Sequence, residues 1–202
     1  MIIKNKYATF IGHKFLGKLY IVVQKWTSPD APGADDVLSA TLLTTAVQTV
    51  SSGITNPDFP RTLSIVGGDG NVTGDVVVTG RNIRNEVVTD TIAANGSSTV
   101  EGVVAFASVS SIQLPVYASA DTETIAVGIG DTLGLQCIPW STSVESEHNA
   151  NAADTGGVIL TRDDDEVEKN LYNPTTECDA SDSKMISYLS EDTGVKISAY
   201  TE

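Results

Sequence analysis

Only two side chains in the sequence, His13 and His148, would exchange protons near neutral pH without help from their surroundings. Neither has a serine or cysteine nucleophile motif beside it. The nucleophile elbow G-x-S-x-G, the phosphate-binding P-loop and the zinc-binding H-E-x-x-H are all absent. The densest carboxylates are Asp163, Asp164, Asp165 and Glu166. Calcium takes about six to eight oxygens, and a loop of acids can supply some of them. Consecutive side chains on an extended chain point to opposite faces, however, and the D-x-D-x-D-G spacing is missing, so a solvated turn is expected. The run Gly67-Gly68-Asp69-Gly70-Asn71 could cradle a phosphate only if it opened a helix, and no helical pattern follows it.

Two cysteines, Cys137 and Cys178, are too few for a disulfide framework and lack zinc-ligand spacing. They could pair, closing a loop of about 40 residues worth a few kcal/mol, or remain as buried thiols. Paired carboxylates for glycoside hydrolysis usually work beside aromatic platforms. Aromatic residues are only 6% of this chain, and Tyr7, Phe10, Phe15, Tyr20 and Trp26 all fall in its first 26 residues. No catalytic residue, metal ligand or cofactor is therefore expected, and the protein reads as a non-enzyme.

The elements that would position these groups are strands. The chain has 202 residues, 41% of them hydrophobic, and is rich in Val and Thr, whose branched Cβ suits a pleated surface. From Val37 onward, short alternating runs are separated by turns: VLSATLLTTAVQTV (37–50), RTLSIV (61–66), DVVVTG (75–80), EVVTDTIA (86–93), STVEGVVAF (98–106), ASVSSIQLP (107–115), TETIAVGIG (122–130) and TLGLQCIPW (132–140). Asn95-Gly96 is a strong hairpin signal, because both residues tolerate the positive φ of the favoured turn. Residues 141–157 read as an exposed loop, 162–170 as an acidic turn and 172–183 as a second long loop. Residues 184–190 and 194–200 alternate like a closing hairpin. This spacing predicts an all-β fold, an antiparallel β-sandwich or barrel with an extended N-terminal arm. Residues 1–36 are the basic arm and linker, and 37–202 the body. Within that body, 37–140 form the main module and 141–202 the loops and strands that close it.

Charge divides the chain in the same way. Lys4, Lys6, Lys14, Lys18 and Lys25 stand in residues 1–26 without one acid, and the remaining seven cations face all 26 acids. The overall charge is −14. An acidic body repels nucleic acid, whose binding depends on neutralising phosphates. Gly12 and Gly17 oppose a membrane-surface helix in the arm, so an extended conformation is expected there. Leu19–Val23 is too short an apolar run for a secretory signal, and no segment reaches the roughly 20 residues of a membrane span. The expectation is a protein made and kept soluble in the cytoplasm of the cell that makes it, with no membrane partner, unless it leaves by cell lysis.

Between about 37 and 136, several turns and strands carry a resemblance: Asn56-Pro57 with Pro60-Arg61, Thr79-Gly80 with Asn82, Thr89 to Ile92, Gly102 with Ala105-Phe106, and Gly130-Asp131 with Leu133-Gly134. This stretch resembles a β-rich module that recurs among virion structural proteins of tailed bacteriophages, including capsid decoration proteins. The resemblance implies a decoration or cement protein located on the virion, with the major capsid protein and copies of itself as partners. In that role Phe10, Phe15, Tyr20 and Trp26 would dock apolar surface while Lys4, Lys6, Lys14, Lys18 and Lys25 meet acidic groups, and residues 1–26 would be dispensable for folding of the body. A tail-tube or baseplate component and a host-surface carbohydrate-binding module, working through 141–157 and 172–183, are the competing expectations.

Overall fold

The structure is a computed structural model that describes residues 2–5, 8–11, 14–15, 19–150 and 152–191, with side chains from 19 onward. The chain opens with β1 (Ile2–Asn5), β2 (Ala8–Ile11), β3 (Lys14–Phe15) and β4 (Leu19–Trp26). Then come β5 (Gly33–Leu42), β6 (Gln48–Val50), β7 (Arg61–Gly67), β8 (Thr73–Arg81), β9 (Val87–Asn95) and β10 (Val100–Glu101). The remainder holds β11 (Ser108–Leu114), β12 (Thr124–Gly134), β13 (Ser146–Asn149), β14 (Ala152–Asp154), β15 (Val158–Thr161), β16 (Leu171–Asn173) and β17 (Lys184–Ser190). A single 3-10 turn, Val167–Lys169, is the one helical element among the described residues, and no described helix is long and apolar enough to cross a membrane. The all-β expectation holds.

Two sheets enclose the first core. One runs β6-β11-β8-β9; the other runs β10-β7-β12-β16-β15, with β5 also pairing β12. Strict alternation builds the facing surfaces. Val76 and Val78 of β8, Val88 and Ile92 of β9 and Ile112 and Leu114 of β11 point inward against Leu63, Ile65, Ile125 and Val127. Outward positions on β9 include Thr89 and Thr91, together with Val87 and Ala93. At the closest approach of β5 and β12, a Cβ on Gly128 would fall 1.6 Å from the carbonyl oxygen of Gly33, so only glycine fits there.

A second core lies beyond it. The sheet β14-β13-β17-β4-β3 covers Val22, Trp26, Leu133, Leu135, Cys137, Ile159, Tyr172, Cys178, Ile186 and Tyr188. Strand β17 alternates without a fault, burying Lys184, Ile186, Tyr188 and Ser190. It pairs with β4 over seven residues, from Lys184↔Trp26 to Ser190↔Tyr20. Strand β12 serves both cores, since Ile125, Val127 and Ile129 face the first and Leu133 the second.

Four sequence expectations need correction. Residues 19–26 are not a free arm: β4 is a central strand, and Trp26 is fully buried, stacked on Tyr172 at 5.6 Å between ring centroids. The apolar runs of the first 26 residues looked alike in sequence, but only β4 finds a partner strand from the far end of the chain. Second, 141–157 is not simply a loop, because β13 and β14 form a hairpin within it that β17 extends. Third, Gly96 does adopt the expected positive φ of 57°, yet the next strand, β10, pairs with β7 rather than returning along β9. Fourth, β10 and the turn after it replace the long strand expected over 98–106. The second strand of the expected closing hairpin, 194–200, lies outside the described residues.

Burial of Trp26 sets a measurable expectation. Trp26→Ala should lower stability by about 3–5 kcal/mol in urea unfolding, as large aromatic deletions from cores do. Deleting residues 1–26 should disrupt the second core, whereas deleting 1–18, which removes β3 but leaves β4 paired with β17, should lower the unfolding midpoint by less.

Candidate functional site

The residues singled out for chemistry are occupied with holding backbone. Asp163 accepts hydrogen bonds from the amides of Asp165 and Glu166 at 2.9 and 2.8 Å, which lowers its pKa and closes the acidic turn. Asn170, fully buried, stitches the same turn by donating to the carbonyls of Asp163 and Glu166 and accepting from the amide of Asp163. Among the described residues, no three His, Cys, Asp or Glu side chains are grouped to hold a metal ion. In the glycine run, Asp69 accepts from the amide of Asn71 at 2.8 Å, a local turn contact. His148 lies on β13 opposite Met185, with no nucleophile across the strand pair, and His13 is outside the described residues.

The cysteines do not pair. Both are buried thiols in the second core. Burial, with the nearby Asp131 carboxylate, pushes the Cys178 thiol up to about 12, so it is a poor nucleophile. The Asp131 carboxylate also accepts the amide of Cys178 at 2.8 Å, tying the 172–183 segment to β12.

The expected docking set is divided by the fold. Lys4 and Phe10 stand on β1 and β2, and Lys14 and Phe15 on β3, while Lys6 and Lys18 lie outside the described residues. Tyr20 is half-buried on β4 beside Ser190, and Lys25 is exposed. Trp26 leaves the set altogether, since a side chain with no exposed surface in the core cannot also dock a partner.

The best-built polar site is the seam between the two cores. The ladder between β12 and β7 breaks between Ile129 and Leu133. There Arg61, fully buried at the head of β7, donates from Nε to the Gly130 carbonyl at 2.8 Å. Its Nη1 donates to the Asp30 carbonyl at 2.9 Å and to the Asp58 carboxylate at 3.0 Å. One guanidinium thus joins the linker after β4, the turn before β7 and the bulge of β12. A cleft of about 480 Å³ opens beside it, its lining including Ser64, Glu101, Asp131 and Glu177. Glu101 is not idle there: its carboxylate accepts the Thr62 hydroxyl and, at 3.4 Å, the Thr132 amide.

A second site fastens the two long polar segments to each other. Glu147, on β13, accepts the Tyr172 hydroxyl, the Thr175 amide at 2.9 Å, the Thr175 hydroxyl at 2.8 Å and the Gly157 amide at 2.8 Å. Burial opposes its charge, but these donors outweigh the burial and hold the carboxyl below its ordinary range. The same arrangement raises the pKa of Tyr172, chiefly through burial, then through its hydrogen bond to Glu147 and the charge of that carboxylate. Sequence reasoning missed Arg61, Glu147 and also Gln24, whose side-chain amide pairs with the Gly134 carbonyl and the Gln136 amide at 3.0 Å each. The one available signal was a charged residue opening the apolar run Leu63–Val66.

Two expectations follow. Arg61→Ala should cost about 3–5 kcal/mol in urea unfolding, because it strands a buried carbonyl and a partly buried carboxylate. For Glu147 the folded pKa lies below the unfolded one, so its contribution is present above the ordinary value of 4.5 and is lost as pH falls below it. Glu147→Gln should therefore be less stable than the native chain at pH 7, with the gap closing in thermal scans taken below pH 4.5. No protein-family model, no characterised protein and no solved structure matches the chain.

Proposed function

We propose that this protein is a structural component of a tailed-phage virion, a decoration or cement protein that binds the outside of the shell and stabilises it through subunit contacts. The observation that carries the reading is the separation of charge across a rigid frame. Residues 1–18 hold Lys4, Lys6, Lys14 and Lys18 and no acid, while all 26 acids lie beyond them. Such a segment is complementary to the acidic surface of a neighbouring subunit.

Three features support a gripping role over a catalytic one. The buried or half-buried carboxylates of Glu123, Glu147 and Asp90 accept backbone amides, at 2.7 Å from Ala118, 2.9 Å from Thr175 and 2.9 Å from Val103 respectively. They spend their charge on holding loops in place. The resemblance of residues 37–136 to phage surface modules falls on turns and strands that recur in the frame, including the β8–β9 turn and the seam at Gly130. An acidic outer surface limits clumping of particles that display many copies. The major capsid protein and further copies of this chain are the partners in this reading, with neither nucleic acid nor membrane involved.

The test is adsorption to phage heads that lack this protein, scored by co-sedimentation and by gold labelling in the electron microscope. The full chain should label the outer face of the head, and a chain lacking residues 1–18 should bind at least ten-fold more weakly. Label on the tail alone would transfer the reading to a tube or baseplate component. Retention on host envelopes with no particle binding would transfer it to a surface-binding module.

A further inference from the structure

We infer that the cleft beside the seam is a binding site for a short aliphatic polyamine, held by carboxylates at its ammonium groups and by apolar surface along its methylenes. The site goes beyond the virion reading and does not depend on it. The cleft has a volume of about 480 Å³, within the usual range for small-molecule sites. Its walls come from residues 32–34 at the start of β5, from β7, β10 and the bulge of β12, and from the 172–183 segment.

A buried hydroxyl opens into this space. Ser64 is only 6% exposed and lines the cleft, and its hydroxyl makes no hydrogen bond among the described residues. Buried polar groups are seldom left without a partner, and a ligand in the cleft would supply one. Ser64 stands directly across from Glu101 in the ladder between β7 and β10, so the two side chains share a face. Thr62, two residues earlier on that face, donates to Glu101 Oε1, which also accepts the Thr132 amide at 3.4 Å. The other oxygen of Glu101 carries no hydrogen bond among the described residues. Gly130 makes room for this carboxylate, since a Cβ there would collide with Glu101 Oε1 and the Thr62 hydroxyl.

Charge selects the ligand. Glu101, Asp131 and Glu177 contribute carboxylates to the lining, which holds no lysine or arginine. Asp131 uses Oδ1 on the Cys178 amide at 2.8 Å, whereas Glu177 is exposed and has no hydrogen bond or ion pair among the described residues. Arg61 lies behind Gly130 with its charge already met by Asp58. No three acidic side chains among the described residues are grouped closely enough to hold one metal ion. The lining therefore suits positive charges set apart on one molecule rather than a single point charge. An aliphatic polyamine has that form. Its ammonium groups donate to the three carboxylates and to the Ser64 hydroxyl, while Pro32 and Ala34 cover the methylenes between them. A ligand so placed ties the 172–183 segment to β10 and the bulge of β12, and binding of that kind stabilises the folded chain.

Isothermal titration of the full chain with spermidine at low salt, alongside thermal unfolding, tests this. Spermidine, with three ammonium groups, should saturate at one per chain and raise the unfolding midpoint. N-acetyl-lysine amide, which offers a single ammonium on a similar stem, should bind roughly ten-fold more weakly or worse. Ser64→Ala and, separately, Glu177→Gln should each weaken spermidine by roughly five-fold or more, with the ligand-free unfolding midpoint unchanged. Asp75→Asn, which removes an exposed carboxylate from β8 instead, should bind spermidine as the native chain does. The absence of saturable binding, native-like affinity in both cleft variants, or an equal loss in Asp75→Asn would overturn the inference. So would affinity for N-acetyl-lysine amide equal to that for spermidine, or tighter binding of calcium than of spermidine.

Discussion

A long strand that passes from one hydrophobic core into another must break its hydrogen-bond ladder somewhere, and each break leaves carbonyls that burial makes expensive. In this chain the break falls in β12 between Ile129 and Leu133, and the Arg61 guanidinium fills it. The choice of arginine has a physical basis. Its planar fork can serve the Gly130 carbonyl, the Asp30 carbonyl and the Asp58 carboxylate together, which the single ammonium of lysine could not do in the same geometry. The positive charge is balanced by Asp58, and the linker after β4 is drawn onto the seam. Both cores depend on this contact, because it sets where β12 turns from one to the other.

The second core is held by a different economy. Its five-stranded sheet joins strands from the two ends of the described chain, β4 and β17, so closing it brings residues about 165 positions apart into register. Ordering of that kind is slow and entropically costly, and is compensated by well-satisfied polar contacts along with the apolar burial. Gln24 extends the pairing pattern sideways into β12 with its side-chain amide. The Tyr188 hydroxyl accepts the Cys137 amide at 3.2 Å, and the Ser190 hydroxyl reaches the Ile138 carbonyl at 2.5 Å. Glu147 then fixes the 172–183 segment against the β13–β14 hairpin. A body made rigid in this way is suited to presenting fixed surfaces to neighbours. In the structural reading, what varies is the partner and not the frame.

This arrangement also changes what the first residues can do. A leader of 26 residues divides at Leu19: β4 beyond it is structural, and the charge available for a partner is concentrated in Lys4, Lys6, Lys14 and Lys18. In the proposed gripping role, the segment left to meet a partner is shorter than residues 1–26, and more strongly basic per residue.

By itself the sequence determined much of what depends on local chemistry. Val and Thr at period two, with Gly, Asn, Asp and Pro between the runs, made the all-β class legible, and the strands at 61–67, 73–81, 87–95 and 184–190 lie within a residue or two of where the alternation places them. The acidic turn at 163–166 was readable for the same reason, since Asp163 caps neighbours two and three residues away. Only the tertiary structure decided which strand lies beside which. Asn95-Gly96 specifies a turn but not the sheet to which the chain returns, because a turn constrains four residues while pairing depends on the whole core. Nor could spacing reveal that Trp26 meets Tyr172 or that Arg61 reaches Gly130: those contacts span 146 and 69 positions, and no local pattern encodes a partner at that distance.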